Sequence, residues 1–394
     1  MAGVVSSAVA EEMVKKLIFT VSQDSLLAWN VQGVLKKLQG SLTVIQYFLR
    51  DAQRQQLHSS EVRSWLKRLK DVAYDADDLL DEFEYEALCC NMEIQNTQDS
   101  IENEVRDTSS FSNPIAFSFE MACKLKDING ILYGLIRDAV SSSVQLQIEP
   151  ISGVGVGGRE SGYVSADTTN LGGTGKMALN AVKSTLGGLR SGSGDIWDNS
   201  GVSAELKLRY DRLPSPVKQC FAYCSILPKD STHEKDTVIK LWMAEGFLEV
   251  AAASGSKLME DIGDEYFNTL VSNSKFEVER RDNYGDVRYF RIDGSVHDLV
   301  KLVAGKECST VKDKEGSSME GVSEIRRLSD EIKTGPTSLH EAKKLWTVRS
   351  TDVSSLLCFN CLRVLDLRGI VVNEMPSSIG NLKHLRKEEM GSNN

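Results

Sequence analysis

The chain has 394 residues and a formal net charge of −10, from 46 basic and 56 acidic side chains. That acidic excess argues against a nucleic-acid binder held by phosphate contacts, because such binding needs a basic face that releases counterions. A hydrophobic content of 41% with 26% charged residues is ordinary for globular proteins, and the length allows roughly two to three domains. Eight cysteines, Cys89, Cys90, Cys123, Cys220, Cys224, Cys308, Cys358 and Cys361, show no repeated pair at zinc-site spacing. They read as reduced, mostly buried thiols of a cytoplasmic protein, with no bound metal. The opening MAGVVSSAVAEEMVKKLIF lacks a leading basic region and is interrupted by Glu11, Glu12, Lys15 and Lys16. Neither a signal peptide nor a spanning helix is expected there.

Up to about Val140 the pattern is helical. Val31, Leu35, Leu38, Leu42, Ile45 and Leu49 alternate four and three apart, and so do Val62, Leu66, Leu69, Ala73, Ala76, Leu80, Phe83 and Ala87. These are seams of two long helices, and the short connection from Arg54 to Ser60 makes them antiparallel. Val9, Met13 and Leu17 predict a first helix, and Leu125, Ile128, Leu132 and Leu135 a fourth, giving a four-helix bundle whose seams close on one another. The predicted third helix carries Arg63, Lys67, Arg68 and Lys70 in its first half and Asp71, Asp75, Asp77, Asp78, Asp81, Glu82 and Glu84 in its second. That order opposes the helix dipole, so the helix's own stability does not explain it. A solvated face is one reading, and an acidic docking surface the other. Asn91 to Asn113 is polar without apolar period and is expected to be a loop.

Ile151 to Gly201 is dense in glycine and has no apolar run of the kind that marks a buried parallel strand. Two stretches approach a phosphate loop. In GVGVGGRE, Arg159 stands where the loop's lysine belongs and Glu160 where a magnesium-binding hydroxyl belongs. In NLGGTGKM, the candidates Gly172, Gly173, Gly175 and Lys176 are present, but Asn170 replaces the first glycine and Met177 the hydroxyl. Neither loop is intact, and about 50 residues cannot hold a several-stranded sheet when one βαβ unit takes roughly 30 or more.

From Glu205 to Leu248 the sequence reads as a compact trio of helices. Ser215 and Pro216 suit a helix start, Pro228 with Lys229 and Asp230 makes a turn, and Gly246 is a left-handed stop after the apolar face of Val238, Leu241 and Trp242. Met259 to Leu270 is a further helix. Phe276, Val278 and Arg280, then Val287, Tyr289 and Arg291, flank a turn at Asp282 to Gly285, which reads as a hairpin. The phrases LPSPVKQCFAYCSILPKD and IKLWMAEGF resemble the winged-helix part of plant coiled-coil, nucleotide-binding, leucine-rich-repeat (NB-ARC) disease resistance proteins. DNA binding is not expected, because Lys240 is the one cation facing two acids in the recognition position from Asp236 to Glu245.

The resemblance carries further residues with it. DVAYDADDLLDEF is similar to the acidic motif of that family's coiled-coil domain, with Asp77, Asp78, Leu79, Leu80 and Asp81 on its core positions; in the family this motif meets the repeat domain in cis. GGTGKMALNAVKSTLGGLRS followed by Asp195, Ile196 and Trp197 resembles the late part of the nucleotide domain, a reading preferred over a phosphate loop. Val296, His297 and Asp298 stand where the family has Met-His-Asp, which makes His297 the residue matching the one that senses the diphosphate. A lone histidine here is otherwise structural.

Leu362, Leu365, Leu367, Ile370, Met375, Pro376, Ile379 and Leu382 are similar to one leucine-rich repeat. A second copy from Leu385 is expected to fail, since Glu388 falls on the position of Leu365, and Ile325 to Leu328 and Leu345 to Val348 are expected to be irregular capping turns. With about three units needed for a continuous core, this segment is expected to fray. The expected fold is thus mainly α: a four-helix bundle over 1–140, a vestigial α/β nucleotide-binding segment over 141–201, a winged-helix domain over 202–305, and capping turns with the start of a leucine-rich-repeat solenoid over 306–394.

The resemblance implies a truncated, non-catalytic immune receptor, an ADP/ATP switch in full members but with nucleotide binding weak or lost here. Its acidic motif, lacking a repeat surface in cis, would recruit basic repeat surfaces of intact receptors or other host signalling proteins in trans, making the chain a modulator or decoy. Plasma-membrane association is implied only for an assembled state. A residual nucleotide switch through Gly172 to Lys176 and His297, or a gene remnant without function, are the alternatives.

Overall fold

The computed structural model describes residues 7–23, 31–55, 60–99, 114–145, 202–253, 255, 257–273, 276–310, 324–329, 343–349, 359–367 and 377–390. Four helices come first: α1 (Ser7–Val21), α2 (Gln32–Gln55), α3 (Ser60–Asp99) and α4 (Pro114–Gln145). Helix α1 packs on α2 and α3, and α4 on α2 and α3. The seam residues Leu35, Leu38, Leu42, Ile45, Leu66, Leu69, Ala73, Ala76, Leu80 and Phe83 are buried in their common core together with Met13, Leu17, Leu125 and Leu132. Helix α3 runs on to Asp99, so the first part of the stretch expected to be a loop is helical. No glycine or proline interrupts Asn91 to Asp99, and Met, Glu and Gln there are fair helix formers. The core is not closed by the helices alone, because Trp346, far along the chain, is buried within it.

The second body contains α5 (Ala204–Asp211), α6 (Ser215–Tyr223), β1 (Thr232–Glu234), α7 (Lys235–Ala244), α8 (Glu249–Ala253), α9 (Met259–Asn273), β2 (Phe276–Arg281), β3 (Val287–Ile292) and α10 (Gly294–Ala304). Strands β2 and β3 form the antiparallel hairpin read from the sequence, and β1 adds a third strand on the far side of β3, which pattern reasoning did not find. The core of this body is aromatic, with Phe276 and Phe290 stacked at 5.4 Å and Phe267 edge-on to Phe290 at 4.8 Å. Ser215 does not cap α6; Pro214 occupies the cap position, and the Ser215 hydroxyl faces Glu11 of α1 at 3.5 Å. Gly246 has φ 81°, as the left-handed stop requires.

The third body is a parallel sheet in chain order: β4 (Cys308–Thr310), β5 (Arg327–Ser329), β6 (Thr347–Arg349), β7 (Val364–Leu367) and β8 (Lys387–Met390). Two expectations fail here. The segments read as capping turns supply β5 and β6, because Ile325, Leu328, Leu345 and Val348 are buried with Leu362 and Leu365 in one core. The segment read as a failed copy forms β8, with Glu388 paired opposite Leu365. A ladder is held by backbone hydrogen bonds, and the apolar contact comes from Leu382 and Leu385 just before the strand. Of the cysteines with described side chains, Cys220 and Cys224 are buried, Cys123 is exposed and Cys89, Cys308 and Cys361 lie between, so mostly buried was too strong.

Candidate functional site: the acidic face of the third helix

The residue just before each strand occupies an equivalent place in the parallel ladder. The backbone N–H of Arg326 donates to the carbonyl of Glu307, Trp346 to Arg326, Arg363 to Trp346 and Arg386 to Arg363, at 2.7–2.9 Å. Glu307, Arg326, Trp346, Arg363 and Arg386 therefore form a row of side chains, one per strand, and α3 lies along it. Strands repeat every ~4.8 Å and a helix rises ~1.5 Å per residue, so about three helical residues pass each strand. The contacts run from the first half of α3 at β4 to its acidic half at β8. Lys70 and Tyr74 meet Glu307, Asp75 and Asp78 meet Arg326, Tyr74 meets Trp346 edge-on at 4.8 Å, and Asp81 meets Arg386 at 2.9 Å.

Arg363 is the centre. Its side chain is 0% exposed, within 2.8 Å of Asp77, 3.1 Å of Asp78 and 2.9 Å of Asp81. Its guanidinium lies 3.5 Å from the ring centre of Trp346, a cation over an aromatic face. The expectation that these acids lack a partner within the chain is therefore overturned: strands β5 to β8 do form and carry the arginines that hold them. Leu79 and Leu80, named with the acids as partner-binding, instead lie in the helical core. At the rim, Lys344 pairs with Asp75 at 2.5 Å, Lys67 with Glu324 at 2.5 Å and Lys383 with Glu86 at 2.7 Å.

Electrostatics sort the carboxylates. Burial works to raise the Asp81 carboxyl, but Arg363, His384 and Arg386 together hold it well below the usual carboxylate range. Asp78 goes the other way, because burial and the charge of Asp77 outweigh Arg363 and Arg326. Glu307 is buried too, yet Lys70 and Arg327 lower it. Burial would lower Lys16, but Asp77 and Glu249 raise it.

A second buried cluster joins the same surfaces. Glu245, at the end of α7, accepts from Arg327 Nε at 2.9 Å and Nη2 at 2.6 Å and from the Thr347 hydroxyl. Tyr74, Lys16, Glu245, Glu249 and the arginines were not read as site residues from the sequence, whereas Asp75 was part of the acidic run. A signal exists for part of them: Ile325-Arg326, Leu362-Arg363 and Leu385-Arg386 repeat an apolar–arginine pair before a strand, with Leu345-Trp346 between.

Gly172, Gly173, Gly175 and Lys176 lie outside the described residues. His297 is buried in the first turn of α10, with Nε2 3.0 Å from the Leu227 carbonyl. A carbonyl only accepts, so Nε2 carries the proton and the buried Nδ1 is an acceptor without a hydrogen-bond partner among the described residues. Burial lowers the imidazole from its ordinary value, so it stays neutral. In this arrangement the one N–H of His297 is directed to the Leu227 carbonyl. Among the described residues no helix is long and apolar enough to cross a membrane.

Residues 9–114 match the Rx N-terminal domain, which takes in the whole acidic stretch of α3, and residues 226–300 match the disease resistance protein winged helix domain, which takes in Glu245, Glu249 and His297. Disease resistance protein RGA2 of Solanum bulbocastanum is 35% identical over 194 residues, 48% of this chain and 18% of the relative. Putative disease resistance protein RGA1 of the same species is 34% identical over 50% of this chain and 19% of its own length. Putative disease resistance RPP13-like protein 1 of Arabidopsis thaliana is 38% identical over 31% of this chain and 11% of its own. The matched region thus spans about a fifth or less of each relative. The chain is a relative of plant disease resistance proteins that pairs an Rx N-terminal domain with a disease resistance protein winged helix domain.

Proposed function

We propose that this chain is a non-catalytic signalling protein of plant defence whose N-terminal helices are restrained in cis by the arginine row and act through protein contacts once α3 is freed. The observation that carries this reading is Arg363, fully buried among Asp77, Asp78 and Asp81. On the same reading the parallel strands are the opening of a leucine-rich-repeat solenoid. The modulator or decoy role in trans then requires the clamp to open first, since the acids that would recruit a basic surface are already occupied. ADP or ATP binding is weak or lost: Asn170 and Met177 break the better loop candidate, and His297 is committed to Leu227.

The test is transient expression in leaf tissue of wild type and Arg363→Glu, with ion leakage as the readout and matched protein levels. Arg363→Glu is expected to give a stronger response than wild type, and addition of Asp77→Arg to restore restraint in part. A response from Arg363→Glu no greater than wild type, at equal abundance, would sink the restraint reading.

A further inference from the structure

The clamp between helix and strands has a third participant. Glu249 of α8, in the winged-helix body, closes a ring of six alternating charges. Lys16 of α1 lies 3.1 Å from Asp77, Asp77 2.8 Å from Arg363, Arg363 2.9 Å from Asp81 and Asp81 2.9 Å from Arg386; Arg386 pairs with Glu249, and Glu249 returns to Lys16 at 3.3 Å. Three of the charges belong to the helical domain, two to the strand array and one to the winged helix. Each stands between two of opposite sign, and the ring sums to zero.

The turn that delivers Glu249 is shaped around this ring. Gly246 sits at φ +81, and a Cβ there would lie 2.6 Å from Lys16 Nζ. The other end of the same turn carries Glu245, which grips Arg327 and Thr347 of the strand array. One short segment, 245–249, therefore places a carboxylate on each of two strand-borne arginines, and the second carboxylate also reaches the helical domain.

We infer that the winged helix operates the clamp through Glu249. Displacing the 245–249 segment withdraws the carboxylate from buried Lys16 and from Arg386, leaves each with one acid in place of two, Asp77 and Asp81 respectively, and loosens α3 from Arg363. Charges in a closed network couple beyond their pairwise contacts. A movement of the winged helix is thereby transmitted to the acidic face of α3, although the ion pairs of Glu249 are to Lys16 and Arg386.

This rests on the restraint reading above, and the experiment separates the two. Hydrogen exchange is followed by mass spectrometry on full-length wild type, Glu249→Gln, Glu249→Asp and Arg363→Gln, with α10 as an internal reference for an intact fold. Glu249→Gln is expected to speed exchange in peptides covering 74–86 and 383–387 by about fivefold or more, and Glu249→Asp, which keeps the charge, by less. The Glu249→Gln effect should vanish when Lys16→Met and Arg386→Gln are already in place. Faster α3 exchange in Arg363→Gln but not in Glu249→Gln would overturn the relay and leave the clamp standing. If neither variant changes α3, the restraint reading itself fails. Loss of protection in α10 with Glu249→Gln but not with Glu249→Asp would still count for the charge, and equal loss in both would count against it.

Discussion

Arg363 shows why single residues dominate this interface. Exposed ion pairs contribute about 0.2–1 kcal/mol, which is the range expected for Lys344 and Asp75, whose side chains are 42% and 44% exposed. A buried charge whose partner is removed costs about 3–5 kcal/mol, because the remaining ions have lost their solvent as well as their mate. Urea unfolding of Arg363→Ala should therefore show a loss in that larger range and Lys344→Ala a loss below about 1 kcal/mol; equal losses would mean that burial does not set the hierarchy. The pH response follows from the carboxylates. Asp81 and Glu307 are held low, so their stabilisation is fully present above the unfolded value of about 4 and disappears as pH falls through their lower folded values. Asp78 is raised, so its ionised form costs stability and that cost is relieved as pH falls through the raised value. The interface should accordingly hold or gain slightly as pH falls toward the unfolded value of about 4 and fail only below it. The emission difference between wild type and Trp346→Phe, followed across that range, reports it, since the Trp346 ring is packed between Tyr74 and Arg363.

At the scale of elements, the reversed charge order on α3 finds its cause in the strand row rather than in the helix. Acids at 75, 78 and 81 recur every three residues and so share one face of α3, which meets Arg326, Arg363 and Arg386 in turn. That half of the interface was legible, because the charges oppose the helix dipole and so pointed outward to something. The other half was hidden: strands β5 and β6 are three residues long, too short to show alternation, and β8 presents Glu388 where an apolar residue was sought. Leu79 and Leu80 were grouped with the acids by motif, whereas helical geometry turns them toward the core. Turns were easier to read, and Gly246 is the sharpest case. Gly246→Ala combines the cost of φ 81°, about 1–2 kcal/mol for a side chain, with an approach of 2.6 Å to Lys16 Nζ. It should cost more than about 2 kcal/mol, whereas Gly40→Ala in α2, which meets nothing within 4 Å, should stabilise by about 0.5–1 kcal/mol. Thermal unfolding of both variants checks this; equal effects would dissociate the Gly246 turn from Lys16.

For the molecule as a whole, the three bodies meet through apolar as well as charged contacts: Trp346 is buried in the helical core and Val364 in that of the winged helix, and the ion pairs of the arginine row lie beside them. The helical domain and winged helix could be recognised from the sequence because long seams and dense signature phrases leave little freedom. The segment 141–201 could be judged only from departures at Asn170, Met177, Arg159 and Glu160; its first five residues end α4, and 146–201 lie outside the described residues. What the fold adds is His297, whose single proton is directed to Leu227 and whose other nitrogen is a neutral acceptor. A diphosphate held by such a residue would need the imidazole either to turn over or to gain a proton, and burial disfavours the latter. We therefore expect no magnesium-dependent ATP hydrolysis and at best weak ADP affinity, with His297→Ala leaving that affinity unchanged. Phosphate release and calorimetric titration of the full chain provide the measurement. Micromolar ADP binding that is abolished by Lys176→Ala and weakened by His297→Ala would reverse this conclusion and make the chain a nucleotide switch, with the winged helix as the part that moves.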